Sequence, residues 1–260
     1  MLPHPEHDAV SSAVRSWFTA STPAIGLSVT STSYGFLTDS DRANRRRLVL
    51  TLDALDGVSD ALAAAARFYG TQAFDVWVDD RLRAERLAPA LVSAGLEPAQ
   101  ETVVLALVGP IDAGPGPSDL AVEDVVDAEQ LEEWAEVKIQ GFADDEARPA
   151  SARIQAEVAE RRAEWAICRF QLARIGGEAV AVLAHYTGQD QMVFNLATRL
   201  PFRHRGIGQS LLARWSREAG PPDVRSHLIN CDDGGPAHAL YRRLGFTDEV
   251  YWYRRYSPHK

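Results

Sequence analysis

The apolar positions in the second half of the chain switch repeatedly between two periods. Over residues 127–140, Leu131, Trp134, Ala135 and Val137 recur at helical spacing. A second helix is expected over about 150–164. AICRFQLARI, residues 166–175, alternates as a strand. GGE at 176–178 supplies a turn, and AVAVLAHYTG at 179–188 returns as the other arm of a β-hairpin. MVFNLATRL, 192–200, reads as a third strand. Ile207, Leu211, Leu212 and Trp215 then fall on one helical face, which Gly220, Pro221 and Pro222 end. VRSHLINC at 224–231 is a strand. Pro236 suits a first helical position, Ala237, Leu240, Tyr241 and Leu244 share a face, and Gly245 suits a left-handed cap. FTDEVYWYRRY, 246–256, is a last strand. With a short strand at 120–125, the predicted order is β-α-α-β-β-β-α-β-α-β.

The first half is less regular. Helices are expected near 8–19, 58–69 and 82–95, and strands at 47–54, 73–79 and 101–108. GLSVTSTSYGF, 26–36, suits either a strand or a pocket loop. GPIDAGPGPSD at 109–119 holds three Gly and three Pro without apolar periodicity, which marks a linker over 109–118. Residues 1–108 and 119–260 then form two domains. LAPALVSAGLEP (87–98) and LYRRLGFTDE (240–249) both end a helix at glycine and lead into a strand. Each stands near the end of its half. That pattern suggests a tandem duplication with a worn first copy.

The chain has 260 residues and a formal net charge of −9, which argues against a general nucleic-acid binder. Two cysteines make no disulfide framework. No apolar run has membrane-spanning length, and the start MLPHPEHDAV has no secretory core. The expectation is a soluble cytoplasmic protein, monomer or homodimer, with no metal site.

Against this acidic background, RHRGIG at 203–208 stands out. It lies between a strand and a helix. The first turn of a helix presents backbone N–H groups and the positive end of its dipole, and glycines let the chain approach an anion closely. Arg199, Arg203 and Arg205 add charge; Gln209 and Ser210 add donors. A phosphate or pyrophosphate site follows from this arrangement. The Gly-Lys-Ser/Thr of a Walker loop is missing, and so is the third glycine of a dinucleotide fingerprint. The plainer alternative is a tight turn with surface arginines.

RHRGIG matches Arg/Gln-x-x-Gly-x-Gly/Ala. PAHALYRRLGF at 236–246 matches most of Asn-x-x-Ala-x-x-Leu-Tyr-x-x-x-Gly-Phe. Together these motifs make residues 119–256 resemble a GCN5-related N-acetyltransferase domain. The resemblance implies an α/β fold with a mixed, mostly antiparallel sheet flanked by helices, beside a smaller α/β N-terminal domain. It implies acetyl-CoA as co-substrate and a primary amine, of a small molecule, as acceptor. The pyrophosphate would meet Arg203, His204, Arg205, Gly206, Ile207, Gly208 and Gln209. Leu196, Ala197 and Thr198, on a strand end splayed from its neighbour, would pair with the pantetheine arm. Tyr241 matches the acid that protonates the departing thiolate; an ordinary phenol near pKa 10 suits a thiolate of roughly 8.5.

Two positions depart from the pattern. The family's Asn is Gly234 here, which puts Asn230 forward as a cofactor contact. The strand MVFNLAT carries no carboxylate to act as base. His185, His227, Asn195, a water chain or an already neutral amine stay open for that role. Asp232 and Asp233 either draw in a cationic amine or belong to the loop that caps the last helix. The missing carboxylate and Gly234 also leave room for a non-catalytic acyl-CoA-binding sensor or structural subunit. The first half, lacking the glycine loop, resembles the worn N-terminal half of tandem acetyltransferases.

Overall fold

The computed structural model describes residues 28–39, 46–52, 55–108, 110–111, 116–143, 146–187, 190–218 and 226–258. The helix expected near 8–19, the terminator Gly220–Pro222 and half of the linker lie outside these residues. The chain divides into two compact units. The first takes 1–104, 231–238 and 249–260; the second takes 105–230 and 239–248.

In the first unit, β1 (Ser28–Thr32), β2 (Gly35–Asp39), β3 (Arg47–Leu50) and β4 (Asp75–Asp79) lie in that order. β1–β2 and β2–β3 pair antiparallel, and β3–β4 pair parallel across helix α1 (Gly57–Tyr69). GLSVTSTSYGF therefore supplies a hairpin strand rather than a pocket loop over its described part. Helix α2 (Arg81–Ser93) follows β4 and leads to β5 (Leu96–Leu107). The core of this unit includes Leu48, Leu50, Val76, Val78, Ala84, Leu87 and Leu91, all buried. The Tyr69 hydroxyl ends α1 by donating to the Thr38 carbonyl at 2.6 Å and the Arg47 carbonyl at 2.8 Å. The last strand, β11 (Phe246–Pro258), pairs antiparallel with β4 from Tyr253↔Asp79 to Tyr256↔Val76.

The second unit holds β6 (Leu120–Asp124), α3 (Ala128–Ala143), α4 (Ser151–Glu164), β7 (Cys168–Ile175), β8 (Glu178–Tyr186), β9 (Asp190–Thr198), α5 (Ile207–Glu218), and most of β10 (Ser226–Asp232) and of α6 (Pro236–Arg243). Its sheet runs β10-β9-β8-β7-β6. All pairs are antiparallel except β9–β10. Every residue of β8 from Ala179 to Tyr186 is buried. That explains its near-continuous apolar run: a central strand with both faces covered has no reason to alternate. Trp134 of α3 sits fully buried with its indole N–H on the Leu183 carbonyl at 3.3 Å and its ring edge-on to Phe170.

The two halves of the chain repeat one order of elements. Two antiparallel pairs, a helical crossover to a parallel strand, a further helix and a final strand occur as β1-β2-β3-α1-β4-α2-β5 and again as β7-β8-β9-α5-β10-α6-β11. Sequence likeness between the halves is confined to helix-to-strand corners, whereas the pairing pattern repeats throughout. Among the described residues no helix is long and apolar enough to cross a membrane.

Trp134→Ala removes a fully buried indole and leaves the Leu183 carbonyl without its donor. It should destabilise the second unit by about 3–5 kcal/mol, seen as a lower urea midpoint by tryptophan fluorescence and circular dichroism.

Candidate functional site

The parallel pair β9–β10 is short. It covers four positions, from Ser226↔Asp190 to Ile229↔Val193. β9 stays paired with β8 on its other side as far as Thr198↔Ala181. Where the β10 pairing stops, the β8–β9 register slips: Ala184 faces Asn195 and His185 faces Val193, so Phe194 has no opposite number. An extra residue of this kind bends its strand and sharpens the local twist. The bulge thus accounts for β9 leaving β10 at this level. Residues 194–198 are no longer matched to β10, and Asn230, half-buried, is the first β10 residue past the last pair. Leu196 and Thr198 are half-buried and Ala197 buried along this segment.

β9 runs straight into the basic loop. Its end at Thr198 is followed by a single 3-10 turn, Leu200–Phe202, where the sequence pattern had extended the strand to 200. His204 and Gly206 both adopt positive φ, 62° and 78°. Nothing lies within 4 Å of where a Cβ on Gly206 would stand, so glycine serves the backbone turn here and leaves an open approach. α5 begins at Ile207, and its first cap bond runs from the Ser210 N–H to the Gly206 carbonyl at 2.9 Å. No acid occupies its first turn. Helix geometry leaves the N–H groups of that turn without intrahelical carbonyls and puts the positive dipole end beside them. Gly208 packs on Leu196 and Thr198, so the start of α5 and the end of β9 are in contact.

The arginines divide their work. The Arg203 guanidinium donates to the Thr198 carbonyl at 3.1 Å and the Gly141 carbonyl at 2.6 Å, tying the loop to β9 and to the end of α3. Arg199 pairs with Glu178. Arg205 is exposed, lies over the Phe202 ring at 5.2 Å, and has no carboxylate partner among the described residues. Gly141 is the residue the sequence pattern passed over. A Cβ there would fall 2.8 Å from the Ala197 Cβ, so only glycine lets α3 close on the end of β9. Its signal, a glycine inside a helical run, is ambiguous without the neighbouring strand.

Tyr241 is the buried residue of α6, its ring 6.0 Å from Phe246. The histidines are core groups. His185 is buried, its ring 5.9 Å from Trp215, with Nδ1 3.2 Å from the Tyr186 carbonyl. Burial holds it at about 4, well below the ordinary imidazole value. His227 meets the same Trp215 edge-on at 4.9 Å and is likewise lowered by burial. Within the first unit, burial pushes the Cys231 thiol up to about 12, so it is a poor nucleophile at neutral pH. Asp233 is engaged by Arg81 and by the Trp252 indole N–H at 3.0 Å. Those partners account for Asp233 as a structural anchor. Gly234, at φ 71°, donates its N–H to His238 Nδ1 at 2.9 Å.

An open cavity of about 330 Å³ lies on the α3–α4 side of β9, lined by Lys138, Ile139, Phe142, Arg153, Glu157 and Asn195. Sequence reading singled out only Asn195 of these six. The Lys138–Glu157 pair joins residues of two different helices, and no single-helix pattern announces it. An amide is not basic at neutral pH, so Asn195 is suited to orienting a ligand by hydrogen bonds and not to removing a proton.

The depressed value of His185 makes acid stability testable. Its unfolded form takes up a proton near pH 6.5 that the native core refuses until about 4. This contribution to stability is therefore whole above 6.5 and falls by about 3 kcal/mol in all as the pH drops to 4. His185→Gln should lose that part of the slope, measured as the change in urea midpoint between pH 7 and pH 4.5.

Residues 166–248 match the family model of the acetyltransferase (GNAT) domain. No curated protein matches the sequence. Among solved structures, a GCN5-related N-acetyltransferase from Kribbella flavida superposes with TM-score 0.68 at 18% identity, over 97% of this chain and 95% of that one. A GCN5-related N-acetyltransferase from Sphaerobacter thermophilus gives 0.60 at 16%, over 88% and 75%. A tandem GNAT protein from the clavulanic acid biosynthesis pathway gives 0.59 at 15%, over 86% and 79%. At these identities the likenesses speak for the fold, and the family model speaks for the domain. Residues 166–248 thus resemble an acetyltransferase (GNAT) domain by sequence, and the chain shares its fold with solved GCN5-related N-acetyltransferases.

Proposed function

We propose that the protein transfers the acetyl group of acetyl-CoA to the primary amine of a small molecule, by direct attack in a ternary complex. The observation that carries this reading is the early parting of β9 from β10 beside an acid-free helix start. A thioester arm needs an unpaired strand edge to lie along, and a pyrophosphate needs N–H donors at its far end. Both occur on one continuous stretch, 194–209.

The roles divide as follows. Ile207, Gly208 and Gln209 offer first-turn N–H groups to the pyrophosphate, while His204 and Gly206 turn the backbone toward it. Arg205 adds the cation, as a guanidinium fork matched to phosphate oxygens. Arg203 acts from behind, holding the loop to Thr198 and Gly141. Leu196, Ala197 and Thr198 give backbone groups to the pantetheine arm, and Asn230 faces it from β10.

In the reaction the neutral amine attacks the thioester carbonyl carbon. A C–N bond forms, the C–S bond breaks, the sulfur leaves with the electron pair, and Tyr241 gives its phenolic proton to it. The amine's surplus proton passes to water. The two core histidines face Trp215, so the acceptor is one that arrives neutral or loses its proton through solvent. The high value of the Cys231 thiol favours direct attack over a cysteine-bound acetyl group.

Calorimetric titration with acetyl-CoA tests the loop. Gly206→Glu places a carboxylate in the anion site; its Cβ meets no atom within 4 Å, and at φ 78° it also strains the turn. It should abolish binding that the unaltered protein shows at micromolar level; equal binding by both proteins removes the loop from the site. Tyr241→Phe should keep acetyl-CoA binding and lose on the order of 10²-fold or more in turnover. Unchanged turnover would take the acid role from Tyr241. Binding without turnover of any amine by the unaltered protein would favour an acyl-CoA sensor.

A further inference from the structure

The cavity beside β9 carries two features that point to its occupant. Asn195 is only 8% exposed, yet its side chain lines the cavity and has no hydrogen-bond partner among the described residues. The amide opens on the cavity, where its two donors and its acceptor oxygen can meet a molecule that enters.

The charges show what the rest of that molecule carries. Glu157 is held from two sides, by Lys138 Nζ at 2.7 Å and by Arg161 Nε at 2.9 Å. Arg161 also holds Glu160 at 2.8 Å and the buried Glu164. This cluster closes on itself. Arg153 is different: its side chain is exposed on the first turn of α4 and meets no carboxylate among the described residues. The same turn has no side-chain cap at Ala150 and no acid of its own. Among the described residues the lining therefore has one cation without a carboxylate partner, reinforced by the positive end of a helix. Ile139 and Phe142 supply apolar wall between Asn195 and solvent. The volume, about 330 Å³, is at the small end of metabolite pockets.

We propose that this cavity is the acceptor site and that the acceptor is a small amino acid. Its carboxylate lies on the Arg153 guanidinium and its amine donates to Asn195 Oδ1. The inference rests on the acetyl-transfer reading: Asn195 is the residue before Leu196, so an amine held there is on the strand that carries the thioester arm. Asn195 takes one amine hydrogen and leaves the nitrogen lone pair for the acetyl carbon.

The test measures CoA release from acetyl-CoA with glycine, β-alanine, 4-aminobutanoate, L-leucine and L-phenylalanine, each beside its carboxamide. The best acid should exceed its carboxamide in kcat/KM by about tenfold to a hundredfold, mostly through KM, as a charge-assisted hydrogen bond warrants. Raising the ionic strength should narrow that margin, since Arg153 is exposed. Arg153→Gln should collapse it to within about threefold while calorimetric acetyl-CoA binding persists. Carboxamides consumed as readily as acids, or a preference that survives Arg153→Gln, overturns the inference. No turnover of any member by a protein that binds acetyl-CoA also overturns it and leaves the cofactor reading standing. Failure to bind acetyl-CoA overturns the reading beneath it.

Discussion

The second unit is organised around one misfit, the unpaired Phe194 in β9. A regular ladder would zip β9 to β10 along its length and close the sheet. The bulge instead bends β9 at the level where its pairing with β10 ends, at Val193 and Ile229. Everything assigned to ligand binding hangs on that bend. It frees the edge of residues 194–198, turns Asn195 toward the cavity, and delivers the chain to the RHRGIG turn. The bend is held on both sides. Gly141 lets α3 close on Ala197, and Arg203 ties the loop back to Thr198 and Gly141. The Phe194 ring is covered by the Arg161 guanidinium at 5.6 Å and lies tilted against the Tyr186 ring at 4.4 Å.

Electrostatics sort the unit's charged groups into those that are committed and those that are available. Arg161 and Lys138 are consumed by Glu157, Glu160 and Glu164. Arg174 is consumed by Glu123 and Glu133. Burying such groups costs solvation unless each finds a partner, which is why they appear as closed clusters. Against this, Arg205 and Arg153 are exposed and lack carboxylate partners among the described residues. The two proposed anion positions thus carry exposed positive charge that no described carboxylate compensates, in a chain of net charge −9.

The repeated order of elements shows what a second copy of the same arrangement can lose. In the first unit, the segment between β3 and α1 reads TLDALD, where the second unit has the basic glycine loop before α5. Asp56 sits at the N-cap of α1. Carboxylates there answer the helix dipole internally and repel phosphate. The fold persists because it rests on the apolar pattern of the strands and helices, which both copies keep. An anion site rests on a few loop residues, which one copy lacks.

Periodicity alone determined nearly all the elements. Alternation in 166–175, the helical stripe Ile207–Leu211–Leu212–Trp215 and the Pro236–Gly245 frame each depend on local spacing, and local spacing is written in the chain. The basic loop was legible for the same reason: its charge, glycines and position before a helix are neighbours in sequence. Tertiary structure decided what depends on residues far apart. The bulge at Phe194 exists only against β8. The need for glycine at 141 exists only against Ala197. The lowered values of His185 and His227 come from burial, and the committed state of Lys138 from a carboxylate on another helix. Arg153 looks like any surface arginine until those partners are assigned. Only then is it the cation left over at the wall of a cavity that a buried, unanswered amide shares.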